Sequence, residues 1–194
     1  MKTIKKSTKL LCLSLVVALV LSVFAPTAAI EAQAVRKVTA NYNYKKAPAI
    51  KVGTTTVTAK PYKSSNLKTK TKTAVSWVKF TAPKAGTYQF TISNYAKKGN
   101  SNAVIYGCVT MMTGKNTYAG ARYPKSYLSV KTKGGKVNTL YLRSAASYTS
   151  SGSVSKYTYL PSRTATVKLK KGQVVYLDFN NSSTITCNVK VKKK

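Results

Sequence analysis

Apolar and polar residues alternate with a period of two along much of this chain, and a pleated strand is the structure that sends such residues to opposite faces. Tyr88, Phe90 and Ile92 point one way while Thr87, Gln89 and Thr91 point the other. Val167 and Leu169 oppose Lys168 and Lys170 in the same manner. Ile185, Cys187, Val189 and Val191 alternate with Thr184, Thr186, Asn188, Lys190 and Lys192. Each segment reads as a half-buried strand with one wet face. No window sustains apolar residues at i, i+3, i+4 and i+7, so helices are not expected.

Further strands are expected over 50–60, 74–81, 103–112, 127–131, 137–143, 155–160 and 173–179. Turn signals separate them, among them Pro83-Lys84-Ala85-Gly86, Gly134-Gly135, Ser151-Gly152 and Lys171-Gly172. About ten short strands divided in this way predict an all-β fold, an antiparallel β-sandwich or jelly-roll-like single domain. The domain is expected over 49–194, with 35–48 as a leading arm and 144–153 as a serine-rich loop. Trp77 and Phe80 fall on opposite parities, so their strand either bulges or is buried on both faces.

Residues 1–34 read as a cleavable signal peptide. Lys2, Lys5, Lys6 and Lys9 precede an apolar run over 10–25, and a small-residue stretch ends in Ala32-Gln33-Ala34. The apolar run is about 16 residues, short of the ~20 that a spanning helix needs. Cleavage after Ala34 implies a protein that is secreted, extracellular or cell-wall associated, with no transmembrane segment in its processed form.

Charge then narrows the partners. Of 34 basic and two acidic residues, four lysines and Glu31 lie in the first 34 positions; the remainder sets 30 bases against Asp178 alone, a net charge of +29. Such a surface attracts polyanions and repels itself when compact. Lys68, Lys70 and Lys72 alternate with threonines, as Lys168 with Lys170 and Lys190 with Lys192 do across intervening residues, so in extended chain each set projects from one face. Alternate strand residues lie ~6.7 Å apart, comparable with successive phosphates on an extended polymer. These seven lysines are the expected polyanion contacts. Arginine, the side chain suited to bidentate reading of bases, is scarce: Arg36, Arg122, Arg143 and Arg163. Tyr42, Tyr44, Tyr118, Tyr123 and Tyr148 lie off the core parity and are candidates for stacking on sugar rings or bases, or for loop packing.

Catalytic equipment is sparse. There is no histidine, and one carboxylate beyond residue 34 cannot make an acid/base pair. No metal-ligand set, phosphate loop or cofactor signature is present, so an enzyme, a metal site and a cofactor are not expected. Asp178 reads either as a local ion pair with a lysine or as an acceptor for a ligand hydroxyl. Cys108 and Cys187 read as a disulfide tying the last strand into the core, or as two buried thiols.

Val75-Ser76-Trp77-Val78-Lys79-Phe80-Thr81-Ala82-Pro83, followed by Gly86-Thr87-Tyr88-Gln89-Phe90-Thr91-Ile92, resembles a hairpin of bacterial pre-peptidase C-terminal domains. The segment 167–177 is similar to a later hairpin of the same domains. The resemblance extends over roughly 50–192 and implies a non-catalytic, jelly-roll-like accessory domain, often involved in binding. No enzyme sequence accompanies it here, and the acidic residues that hold calcium in some relatives are missing.

The expected function is therefore non-catalytic binding of an anionic polymer of the cell envelope or extracellular matrix: teichoic acid, acidic polysaccharide or extracellular DNA. Peripheral association with an anionic cell surface fits the same charge. The alternatives are a cationic antimicrobial or toxin-like factor acting on anionic membranes, and a structural matrix or DNA-binding protein.

Overall fold

A computed structural model describes residues 35–63, 75–95, 107–118, 121–148, 151 and 154–194. Two sheets carry the fold. The larger runs β1 (Arg36–Thr39), β3 (Gly53–Ala59), β15 (Ile185–Lys193), β5 (Gly86–Ser93), β13 (Ser162–Leu169), β8 (Val130–Thr132) and β9 (Gly135–Val137). The smaller runs β10 (Thr139–Tyr141), β6 (Cys108–Thr113), β14 (Val174–Asn180), β4 (Ser76–Thr81) and β2 (Ala49–Ile50), with β7 (Ser126–Tyr127) paired to β6. β11 (Arg143–Tyr148) and β12 (Val154–Tyr159) form a separate two-stranded ribbon.

The period-two pattern puts one apolar row of each strand into the space between the sheets. From the larger sheet come Val57, Tyr88, Phe90, Ile92, Leu169, Cys187, Val189 and Val191; from the smaller come Val78, Phe80, Val109, Met111, Leu140, Val175, Leu177 and Phe179. Phe80 locks the two layers together, its ring 5.2 Å from that of Tyr88 and 5.4 Å from that of Phe90. Burying a side chain of this size contributes roughly 1.5–3 kcal/mol, which a chain of such net charge needs against its own repulsion. The all-β sandwich expected from the sequence is present.

Several local features differ from expectation, each for a physical reason. The sheets are mixed, because β1 runs parallel to β3 and β2 parallel to β4; the other pairings are antiparallel. The segment expected as a leading arm supplies β1 and a 3-10 turn, Tyr44–Lys46, and buries Ala40, Tyr44 and Ala47. The strand expected over 127–131 is two: β7 lies in the smaller sheet and β8 in the larger, with Leu128 and Ser129 crossing between them. The strand expected over 137–143 divides likewise at Asn138, between β9 and β10. Part of the expected serine-rich loop belongs to β11.

The Trp77 and Phe80 parity conflict resolves as burial on both faces. Phe80 and Val78 enter the main core, while Trp77 lies in a second apolar cluster with Tyr44, Ala47, Val75, Met112 and Tyr176 on the far side of the smaller sheet. Cys108 and Cys187 do not bond to each other. Cys187 points into the main core from β15, whereas Cys108 alternates with the core residues Val109 and Met111 and so lies on the opposite face of β6. A bridge would have to pass through the smaller sheet. Among the described residues, no helix is long and apolar enough to cross a membrane.

Candidate functional site

The outer face of the larger sheet is polar and cationic. Antiparallel register sets directly opposed residues on one face, and it brings Lys192, Gln89, Thr166, Lys131 and Lys136 into one row across β15, β5, β13, β8 and β9. The next row holds Thr54, Lys190, Thr91 and Thr164. Thr91 and Thr164 share a hydroxyl contact of 3.1 Å, and the Thr56 hydroxyl donates to Asn188 Oδ1 at 3.0 Å. Lys168 stands opposite Thr87 at the end of the same face.

A groove of about 750 Å³ lies across this surface, with Lys131, Lys133, Arg163 and Lys194 beside the hydroxyls of Thr164 and Thr166. The β8–β9 hairpin raises its wall. Thr132 Oγ1 accepts from the Gly134 N–H at 3.2 Å and donates to the Gly135 carbonyl at 2.9 Å, and Gly135 takes φ +112°, a conformation that other residues rarely adopt. No acid lies on the face, because the single acid among residues 35–194 is Asp178, on β14 of the other sheet.

Of the lysines singled out from sequence, Lys168, Lys190 and Lys192 meet on this face and are exposed. Lys170 is exposed beyond the end of β13, where its N–H donates to Gln173 Oε1 at 3.0 Å in the turn to β14. Lys68, Lys70 and Lys72 lie outside the described residues. The groove cations Lys131, Lys133 and Arg163, and Lys136 paired with Lys131 in the row, were not among the contacts expected from sequence. Stripes within one strand are visible in sequence, whereas rows across strands need the register. The Lys131-Thr132-Lys133-Gly134-Gly135-Lys136 hairpin signal was the one clue.

The outer face of the smaller sheet is a different surface. Its central row is Thr139, Thr110, Asp178 and Trp77, with Thr110 and Thr139 hydroxyls 3.0 Å apart. Asp178 is 9% exposed, and its Oδ1 is buried and accepts no hydrogen bond. Burial alone pushes its carboxyl up to about 7. Among the described residues no lysine forms the expected ion pair with Asp178.

Aromatic rings surround this row. Tyr123 stands edge-on to Trp77 at 6.1 Å, and Tyr44 packs on Trp77 and Tyr176 at 6.2 and 5.4 Å. Burial first, and then the nearby Asp178 charge, raises the Tyr123 hydroxyl above its ordinary range. Tyr44 is 1% exposed and serves packing, so it is no stacking platform. The Tyr42 ring is covered by Lys60 and Lys63, whose ammonium groups lie 5.5 and 5.0 Å from its centre. Tyr118 and Tyr123 are exposed, as are Tyr62, Tyr127 and Tyr141, which the parity argument did not single out. The side chain of Tyr148 lies outside the described residues.

No protein-family profile matches the sequence. No curated protein sequence matches it either. Among solved structures, the chain is similar to CorA, a surface-associated copper-binding protein important in copper acquisition by Methylomicrobium album BG8. The TM-score is 0.40 and the identity 10%, over 81% of this chain and 100% of that one. So distant a likeness bears on neither the chemistry nor the partners of this protein.

Proposed function

We propose that this protein is a secreted, non-catalytic β-sandwich that binds anionic polymers of the cell envelope or extracellular matrix through the outer face of its larger sheet. Teichoic acid and acidic polysaccharide are the favoured ligands. The observation that carries this reading is the acid-free face on which Lys131, Lys136, Lys168, Lys190 and Lys192 stand in rows among hydroxyls. Neighbouring strands are ~4.8 Å apart and alternate residues ~6.7 Å apart, so the ammonium groups form a two-dimensional grid that a flexible polyanion can follow. Lysine gives hydrated point charges, which favour salt-sensitive binding over reading of base sequence.

The export signal read over 1–34 would bring this face to an anionic surface. The test is binding to purified teichoic acid, heparin-like glycan, double-stranded DNA and a neutral glycan over a salt series. Binding to the polyanions should weaken steadily with salt, and wall polymer should be bound at least as well as DNA. Retention on wall polymer equal at low and high salt would overturn the reading. Preference for DNA would move the assignment to a DNA-binding matrix protein, and leakage of anionic liposomes to a membrane-active factor.

A further inference from the structure

We propose that the polymer bound by the cationic face carries a ring in each repeat, as an acidic polysaccharide does and an acyclic polyol phosphate does not, and that Tyr127 and Tyr141 select it. The inference rests on the polyanion reading above and extends that site around one edge of the sandwich.

The cationic groove on the larger sheet does not end at the sheet's margin. Val137 lines it and also lines a second groove, of about 520 Å³, whose walls include Lys136, Tyr127 and Tyr141. Lys136 stands in the row of Lys131 and Thr166, so the second groove adjoins the first and shares its cations. Its floor is where the chain changes sheets: Ser129 lies between β7 and β8, and Asn138 between β9 and β10. Both crossings are pinned to β6. The Leu128 N–H donates to the Met111 carbonyl at 2.9 Å, and the Met111 N–H donates to the Asn138 carbonyl at 2.8 Å. The Thr139 hydroxyl donates to Asn138 Oδ1 at 3.0 Å. A groove held in this way is shaped before any ligand arrives, which lowers the ordering cost of binding.

The tyrosines stand along this edge. Tyr141 opposes Cys108 and Tyr127 opposes Met112, so both leave the same face, four residues apart along β6, or ~13 Å. They are 57% and 65% exposed, and neither belongs to a core cluster. The outer residues of β3, β15, β5 and β13 include no aromatic side chain, so rings adjoin the cations at this end of the track.

The two kinds of group together select the ligand. Lysines call for an anion, and exposed rings call for a flat apolar face to lie on them. A sugar ring bearing a carboxylate or sulfate supplies both, with C–H groups for the tyrosine and an acid at its rim for Lys136. Its hydroxyls would meet Ser129, Asn138 and Thr139 between the rings. A polyol phosphate has the charge and no face to stack. Single-stranded DNA has both, but its binding draws on stacking and backbone charge and leaves those hydroxyl and amide groups without a role.

The full chain is titrated at about 0.15 M NaCl with oligogalacturonate, inorganic polyphosphate and single-stranded oligothymidylate of equal charge. Oligogalacturonate should be preferred over polyphosphate. Replacing both rings, Tyr127→Ala with Tyr141→Ala, should lower that preference about tenfold. Tyr127→Phe with Tyr141→Phe keeps the rings and should preserve it. The inference fails if the preference survives loss of both rings, or if the parent binds polyphosphate as well as oligogalacturonate. Tighter binding of oligothymidylate through the same two tyrosines would overturn it in favour of a nucleic-acid strand. Binding of none of the three polymers, or binding insensitive to salt, would instead overturn the polyanion reading itself, so the two failures are told apart.

Discussion

The two outer faces of this sandwich are built on the same pleat and carry opposite solutions to being wet. On the larger sheet the outward rows are threonine, serine, asparagine, glutamine and lysine, and Lys168, Lys190 and Lys192 are exposed. On the smaller sheet the outward row is largely buried a second time, by the Tyr44–Lys46 turn and by Tyr123, and it contains the one acid of residues 35–194. A bare face can be covered with charge at little cost, because each lysine remains in water. A covered face is a core, and a charge inside it is expensive. The difference teaches that net charge describes only one side of this molecule.

The sharpest break in that comparison is at Asp178. Its carboxyl titrates near 7 when folded and near 3.8 when exposed, so between those values the folded state holds the extra proton. Stability therefore falls as pH rises from about 4 to about 7 and is flat on either side, with a total loss of up to ~4 kcal/mol. Residues 35–194 have no histidine and no other side-chain carboxylate, so little else titrates in that window. Urea midpoints at pH 4.5 and 8 should differ in the parent and coincide in Asp178→Asn, which should be the more stable of the two at pH 8. Equal pH dependence in both proteins would show that Asp178 is hydrated and its face open.

The larger sheet is tested next. Replacing Lys168, Lys190 and Lys192 together by Gln should cost about 3 kcal/mol of polyanion binding at low salt, or roughly a hundredfold, at ~1 kcal/mol per lysine. The slope of log affinity against log salt should flatten by about 2, at ~0.7 per lost contact. Thermal stability should hold or rise, since three mutually repelling charges are removed. A variant that loses no affinity would place the polyanion elsewhere, with 68–72 the first place to look.

The cysteines sharpen the contrast between inner and outer faces. Burial pushes the Cys187 thiol up to about 12, so it stays protonated and inert until the protein unfolds. Cys187→Ser would put a hydroxyl among Val57 and Ile185 without the packing of a thiol and should destabilise by about 2 kcal/mol. Cys108→Ser, on the other face of β6, should stay within ~0.5 kcal/mol. Melting with and without reductant should coincide. A lower midpoint in reductant would restore the bridge that the strand parities exclude.

How much of this was legible in the sequence follows from what a period of two can and cannot encode. It shows which residues of one strand share a face, and it placed Tyr88, Phe90, Ile92, Cys187, Val189 and Val191 in the core without reference to any partner strand. It does not show register, so Lys131 and Lys136 could not be seen beside Lys192. It does not show where a strand changes sheets either: 127–131 and 137–143 keep their alternation through Leu128–Ser129 and Asn138 while passing from one layer to the other. Pairing Cys108 with Cys187 requires Cys108 on the core face, whereas Val109 and Met111 define the inward face of β6. Asp178 reads from sequence as an ion pair with a lysine or as an acceptor for a ligand hydroxyl, because alternation does not show that the outer row of β14 is covered. Only the covering turn from 44–46 makes that side a second interior.

The smallest effect tests whether the two faces are separate at all. Gly135 turns the hairpin that walls the cationic groove, and the same strand continues through Asn138 into β10 of the smaller sheet. A Cβ at Gly135 would meet no atom within 4 Å, so Gly135→Ala acts through backbone conformation alone. At φ +112° that should cost about 1–2 kcal/mol and loosen Lys131, Lys133 and Lys136. If the faces are independent, polyanion affinity drops a few-fold while the intrinsic emission of Trp77 is unaltered, because β10 is held to β6 by its own pairs at Thr139, Leu140 and Tyr141. If Trp77 emission shifts as well, the 135–141 segment couples the outer faces of the two sheets.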